Sequence, residues 1–283
     1  YKIPYIAKSN TSGAGISFSY SRNREVAYMS FDNHQLFFKD PNQKIRQEFT
    51  SKMHYNYRAG ARTNHLIEAK YVQAKINDTI NDYTINYFYK NDTEIKFLLL
   101  DYFLRFDQRN SRIFPLKGYY LEFEATKIGL GLLTSEKTNA LNLLISAKEY
   151  IRISNRLYQS GGLRVKYSPT KNQPYYIQRG LGWGEYVRGY EYYVIDGQSY
   201  GVAKLGLKYE IIKPKIKKVP FIPFEKFNTF HFSLYAGIFG DVGYVQDYQY
   251  SLVNPLANSL LYGYGAGLEY VTCLLYTSDA ADE

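Results

Sequence analysis

Apolar and polar residues alternate over many segments of this chain, a number of them about 10 to 14 residues long, and that period of two restricts its fold more than any other feature. In 46–59, Phe49, Met53, Tyr55 and Tyr57 share one face, and Arg46, Glu48, Lys52, His54 and Arg58 share the other. In 95–107, Leu98, Leu100, Tyr102, Leu104 and Phe106 are set against Lys96, Asp101 and Arg105. The pattern predicts eleven strands, at 14–20, 25–38 (weaker), 46–59, 65–76, 95–107, 118–130, 139–153, 157–167, 199–212, 229–245 and 260–272. Strands of globular proteins average about 5 or 6 residues, whereas a strand crossing a bilayer at a tilt needs about 9 to 11. No stretch approaches the ~20 consecutive apolar residues of a membrane helix, so a helical membrane protein is excluded.

Two all-β readings remain: a soluble β protein with an aromatic core, and a membrane β-barrel. The mean hydropathy of −0.40 does not separate them, because alternation dilutes the apolar face of a barrel. The charged face does. Arg46, Lys52, Arg105, Glu122, Lys148, Arg152, Lys166 and Lys208 all lie opposite Leu, Phe, Ile and Tyr. A lumen lined by them fits water inside and lipid outside. The 32 tyrosines suit interfacial girdles. Connection lengths also alternate between short and long, apart from 213–227, which reads as an elaborated turn on the short side. The fold expected is an all-β, antiparallel, up-and-down transmembrane β-barrel.

A formal charge of +9 raises nucleic-acid binding, but the lysines and arginines are scattered and no RNA-binding or helix-turn-helix signature accompanies them, so no nucleic acid is expected. His34, His54, His65 and His231 have no metal-ligand spacing, and neither GxSxG nor HExxH occurs. His54 or His231 beside a serine is explained as polar lumen wall. No enzyme activity, metal or cofactor is expected.

The connection at 169–198 is far too long for a hairpin turn, and loops of that length are usually functional. It holds the stretch QRGLGWGEYVRGYEYYVIDGQ at 178–198, with Val187, Arg188, Gly189 and Tyr190 at its centre. Downstream, Phe239, Asp241 and Gly243 form FxDxG; Asp241 has lumen parity, and glycines beside it leave room for another segment. An arginine folded into a barrel is costly without a carboxylate, so Arg188 is expected to meet Asp241, with Glu210 and Glu269 as second lumen candidates. VRGY followed by FxDxG resembles the signature of the BamA/TamA superfamily of outer-membrane barrels, the bacterial surface antigen family. Asp107 and Arg109, then Pro115 and Gly118, are similar to that family's DxRxxxxxPxxG turn, and YVIDGQ at 193–198 is like its Bacteroidetes versions.

The resemblance covers about 12–272. It implies a bacterial outer-membrane protein that assembles, inserts or translocates other proteins without catalysis, with an inward loop locked to the FxDxG strand. It further implies outer-membrane lipids and an unfolded outer-membrane or secreted protein as partners, periplasmic POTRA domains upstream, and sixteen strands. Eleven strands therefore mean an incomplete barrel, about three strands short upstream and two downstream. The start at Tyr1 and the lack of a signal sequence agree with a fragment. Residues 273–283, CLLYTSDAADE, resemble a translated sequencing adapter, which leaves 1–272 as barrel, 273–283 as a non-native tail, and Cys273 as foreign. A passive pore or an orphan surface antigen is the alternative.

Overall fold

The computed structural model describes residues 2–3, 11–84, 86–90, 92–134, 136–218 and 229–274. Its strands are β1 (Lys2–Ile3), β2 (Ser12–Asn23), β3 (Glu25–Phe31), β4 (His34–Lys39), β5 (Arg46–Arg58), β6 (Thr63–Ile76), β7 (Glu94–Asp107), β8 (Gly118–Ile128), β9 (Ala140–Arg152), β10 (Leu157–Tyr167), β11 (Ser199–Lys218), β12 (Thr229–Gln246) and β13 (Leu260–Leu274). Eleven of them form one antiparallel up-and-down sheet in the order β1-β2-β5-β6-β7-β8-β9-β10-β11-β12-β13; β3 and β4 pair only with each other. Among the described residues β1 and β13 do not pair, so the sheet is curved but open.

The expected eleven-strand count holds with a different membership. The segment 25–38 is not a wall strand but the β3–β4 hairpin, and the short β1 takes its place in the sheet. The reason lies at its centre, where Asp32 and Asn33 have φ of 50° and 59°, the left-handed pair of a tight hairpin turn. β2 therefore pairs directly with β5, and 24–45 becomes a single connection. It joins 77–93, 129–139, 168–198 and 247–259 at one end of the sheet, while 59–62, 108–117 and 153–156 lie at the other. The expected turn at 213–227 is also corrected. β11 runs on to Lys218 against β12, with register shifts between Glu210 and Lys215 that accommodate Pro214, and the connection 219–228 lies outside the described residues. β13 continues through Leu274, two residues into the expected tail; residues 275–283 lie outside the described residues.

Burial is inverted relative to a soluble barrel. Met53, Leu100, Leu121, Ile145, Leu205 and Leu268 are exposed on the outer face, Leu205 at 61%, while Glu68, Glu122, Lys166, Glu210 and Asp241 are buried on the inner one. Lys96 shares the parity of Leu98, not that of Asp101; it sits on the outer face, 3.1 Å from Glu94.

Two apolar clusters sit inside. At the end with the long connections, Ile45, Ile80, Tyr87, Phe88 and Tyr175 come in from connections and pack on inward-facing Val72, Phe97 and Ile128. Beside them Leu181, Val187 and Ile195 pack on Val202, Val245 and Leu261. The β3–β4 tip closes over both. Asp32 N donates to Val253 O at 2.8 Å, Val194 N to Asn33 O at 2.8 Å and Leu256 N to Asn33 Oδ1 at 3.0 Å, while the Asn33 and Asn254 side chains bond to each other.

Candidate functional site

The connection 168–198 folds inward as a finger. Its base is closed by a bridge between Leu181 and Ile195, whose amide donates to Leu181 O at 2.9 Å. Its tip turns twice, with Gly182 N donating to Glu185 O at 2.7 Å and Tyr190 N to Val187 O at 2.9 Å. Gly189 has φ +95° with open space around its Cα, so glycine is required there by the backbone and not by crowding.

Arg188 and Asp241 meet at that tip. Arg188 Nε donates to Asp241 Oδ2 at 2.8 Å, Nη2 donates to Oδ1, and the Arg188 amide donates to Oδ2 at 3.1 Å. The guanidinium also lies 3.7 Å from the Phe239 ring centroid. Phe239, Asp241 and Gly243 follow one another on the inner face of β12, so a single strand supplies ring, carboxylate and space. The Asp241 side chain is 0% exposed and that of Arg188 32%, which makes the carboxylate the more dependent partner.

Glycines set the approach distance. A Cβ at Gly243 would strike Val187, and one at Gly263 of β13 would strike the Arg188 carbonyl oxygen. The finger lies against backbone. Val187 is buried in the second apolar cluster, and Tyr190 packs on Tyr193 of its own loop, ring centroids 6.1 Å apart, beside that cluster.

Sequence reasoning missed a second tether. Lys204 stands directly opposite Asp241 in the β11–β12 register, and it bonds Glu185 while its ammonium lies 4.6 Å from the Tyr186 ring. The two ion pairs run in opposite senses, loop acid to wall base and loop base to wall acid. Glu185 is visible three residues before Arg188, but its partner depends on a register the sequence does not state. The other missed group is Arg179. Its Nη1 donates to the carbonyls of Tyr175 and Gln178 at 3.1 and 2.6 Å, and its guanidinium lies 3.9 Å from the ring of Trp183, the chain's one tryptophan. Trp183 Nε1 donates to Asp196 Oδ1 at 3.0 Å; burial pushes the Asp196 carboxyl above its usual range and lowers the Arg179 guanidinium below its own.

The second lumen candidates lie elsewhere. Glu210 accepts from Tyr235 Oη at 3.3 Å, and Glu269 takes Lys208 Nζ at 2.6 Å; neither meets Arg188. The expected structural turn forms a separate unit at the short-connection end. Arg109 Nε and Nη2 each donate to the Asp107 carboxylate at 2.9 Å, and the guanidinium stacks on Tyr120. Gly118, φ +98°, lies so near Gln108 O that a Cβ would overlap it. Pro115 sits in the 108–117 connection, which Asn110 Oδ1 braces by accepting from the Leu116 and Lys117 amides, both at 2.9 Å. The neighbouring Phe114 reaches across to Tyr235, centroids 5.1 Å apart, and Phe114, Pro115, Tyr186, Arg188 and Phe239 line one cavity of about 430 Å³. His54 has no serine hydroxyl bonded to it, and the side chain of His231 lies outside the described residues. Among the described residues no cluster of His, Cys, Asp and Glu has the makings of a metal site.

Comparison with known proteins places this geometry. Residues 1–275 match the model of the Omp85 superfamily domain. No curated protein matches the chain. Among solved structures, BamA from Haemophilus ducreyi lacking POTRA domains 1–3 is similar with a TM-score of 0.61 at 14% identity, over 95% of this chain and 54% of that one. CdiB from Escherichia coli is similar with a TM-score of 0.53 at 13% identity, over 93% of this chain and 44% of that one. The chain thus spans about half the length of the structures it matches, and at these identities the likeness is one of fold.

Proposed function

This chain belongs to the Omp85 superfamily, and from that premise we propose that it is barrel wall from a bacterial outer-membrane factor that inserts or translocates other proteins. It works without covalent chemistry or cofactor. Strand edges and a locally perturbed bilayer are what such a barrel offers to a client that must satisfy its own backbone hydrogen bonds. Outer-membrane lipids surround it, an unfolded outer-membrane or secreted protein is its client, and POTRA domains precede it in the full protein.

The observation that carries this reading is the finger, tethered by Arg188 to Asp241 and by Glu185 to Lys204, under an apolar cluster that packs connections against the inner wall. Side chains such as Tyr87, Phe88 and Ile80, each 2% exposed or less, occupy space that a passive pore keeps for water. Depleting the protein and quantifying the other outer-membrane proteins tests the proposal. Their loss, with small-solute uptake unchanged, is expected; an uptake defect with the other proteins at normal levels would overturn it in favour of a pore.

A further inference from the structure

The inner face near the short connections carries a charge arrangement that the tethered finger does not use. Arg58 of β5, Asn64 of β6 and Arg105 of β7 stand opposite one another in register, so two guanidinium groups flank one neutral amide. Arg62, in the adjoining 59–62 turn, is fixed through its carbonyl, which accepts from Asp107 N at 3.0 Å. All three arginines line a cavity of about 480 Å³ that also takes in Lys52, His54, Asn56 and Arg112.

The cavity's two carboxylates are already committed. Glu68 holds Lys52 at 3.1 Å and Lys70 at 2.7 Å, and Asp107 holds Arg109 at 2.9 Å and Arg112 at 3.4 Å. Among the described residues Arg58, Arg62 and Arg105 have no carboxylate within ion-pair distance. Arg105 has only the Phe103 face, 4.9 Å away, and the Tyr120 hydroxyl. His54 Nδ1 is buried with no hydrogen-bond partner. Like charges held together on a rigid wall repel one another unless an anion lies between them.

We infer that this cavity is a binding site for a phosphate-type oxyanion, with Arg58, Arg62 and Arg105 as its principal ligands and Asn64 and His54 as neutral contacts. A carboxylate has two oxygens and fills one guanidinium fork. Three forks plus an amide offer more donors than that, and they suit the several oxygens and nearly two charges of a phosphoryl group. Free phosphates and lipid headgroups share this chemistry.

The test uses the full-length protein in a non-ionic detergent and Arg58→Gln/Arg105→Gln, with Arg24→Gln/Lys44→Gln as a control of equal charge change at the opposite end. Inorganic pyrophosphate is titrated by calorimetry, and thermal unfolding is followed with and without it. The wild type and the control should bind and gain thermal stability, and the site variant should bind at least about tenfold more weakly. Without anion the site variant should melt at or above the wild type, because two repelling charges are gone, and this also establishes that it folds. If pyrophosphate fails but nanodiscs of phosphatidylglycerol, unlike phosphatidylcholine, stabilise the wild type and not the site variant, the inference stands with lipid as the source. Equal binding by the site variant, binding of neither probe, or acetate binding as tightly as pyrophosphate would overturn it.

Discussion

Two arginines of one loop, Arg179 and Arg188, are held in opposite ways. Arg188 faces the open lumen and ends on a fully buried carboxylate through two parallel bonds. Arg179 lies nine residues earlier, beneath the packed connections, and is held by two backbone carbonyls and an indole face, with no carboxylate within ion-pair distance among the described residues. The first arrangement is a charge pair that two mutations can dissect. The second is a charge enclosed by backbone, which ties it to the shape of the whole finger. Near water the wall supplies a counter-ion, and under apolar cover the chain supplies dipoles.

The largest effect expected follows from breaking the Arg188 pair. Asp241→Ala strands an arginine and Arg188→Ala strands a buried carboxylate; each should loosen the finger by about 2 kcal/mol, while the wall stays folded. Protease access to the loop in intact cells should rise equally in both singles, and the double variant should be no worse than either. Additive effects would break the comparison. Next, Arg179→Leu should cost about 1 to 2 kcal/mol through the two orphaned carbonyls and the lost stacking. It should also shift Trp183 emission, a change Asp241→Ala should not reproduce to the same extent.

Glu185→Gln should cost less, below ~1 kcal/mol, because its pair with Lys204 is partly exposed. Its penalty should vanish in molar salt, where exposed charges are screened, and that of Arg179→Leu should persist. The smallest effect concerns pH. Burial raises the Asp196 carboxyl, so the folded loop favours the protonated form. The stability gained is complete below the ordinary aspartate pKa of ~3.9 and is lost as pH rises through the higher folded value. Trp183 emission should accordingly titrate above pH ~4, and Asp196→Asn should abolish the transition.

What the sequence made legible was parity. A period of two assigns each side chain to lipid or lumen without knowledge of the partner strand, and so Leu205 and Asp241 read directly. Height along the wall was not legible. Glu210 and Glu269 have lumen parity, yet Glu210 lies six residues from Lys204 on β11, and Glu269 six from Gly263 on β13, the two register partners of Asp241. Six residues are about 20 Å of strand, out of reach of Arg188. The Lys204 tether needed the same missing register. Arg179 left no signal, since its acceptors are carbonyls that every residue carries. The 25–38 segment misled because two arms of seven and six residues read as one strand; Asp32 and Asn33 were the available clue.

The clasp at the β3–β4 tip has a kinetic side. Asn33 and Asn254 are 221 residues apart, whereas the hairpin that presents Asn33 closes on itself within a few residues. Loop-closure entropy and contact order therefore set a sequence of events: the hairpin forms early, and its bonds to Val194, Val253 and Leu256 wait for the strands on both sides of them to pair. The clasp is thus a late marker of folding, closed only once the far end of the sheet is in place. In pulse-labelled hydrogen exchange, the Asp32 and Leu256 amides should gain protection after those of β5 to β7.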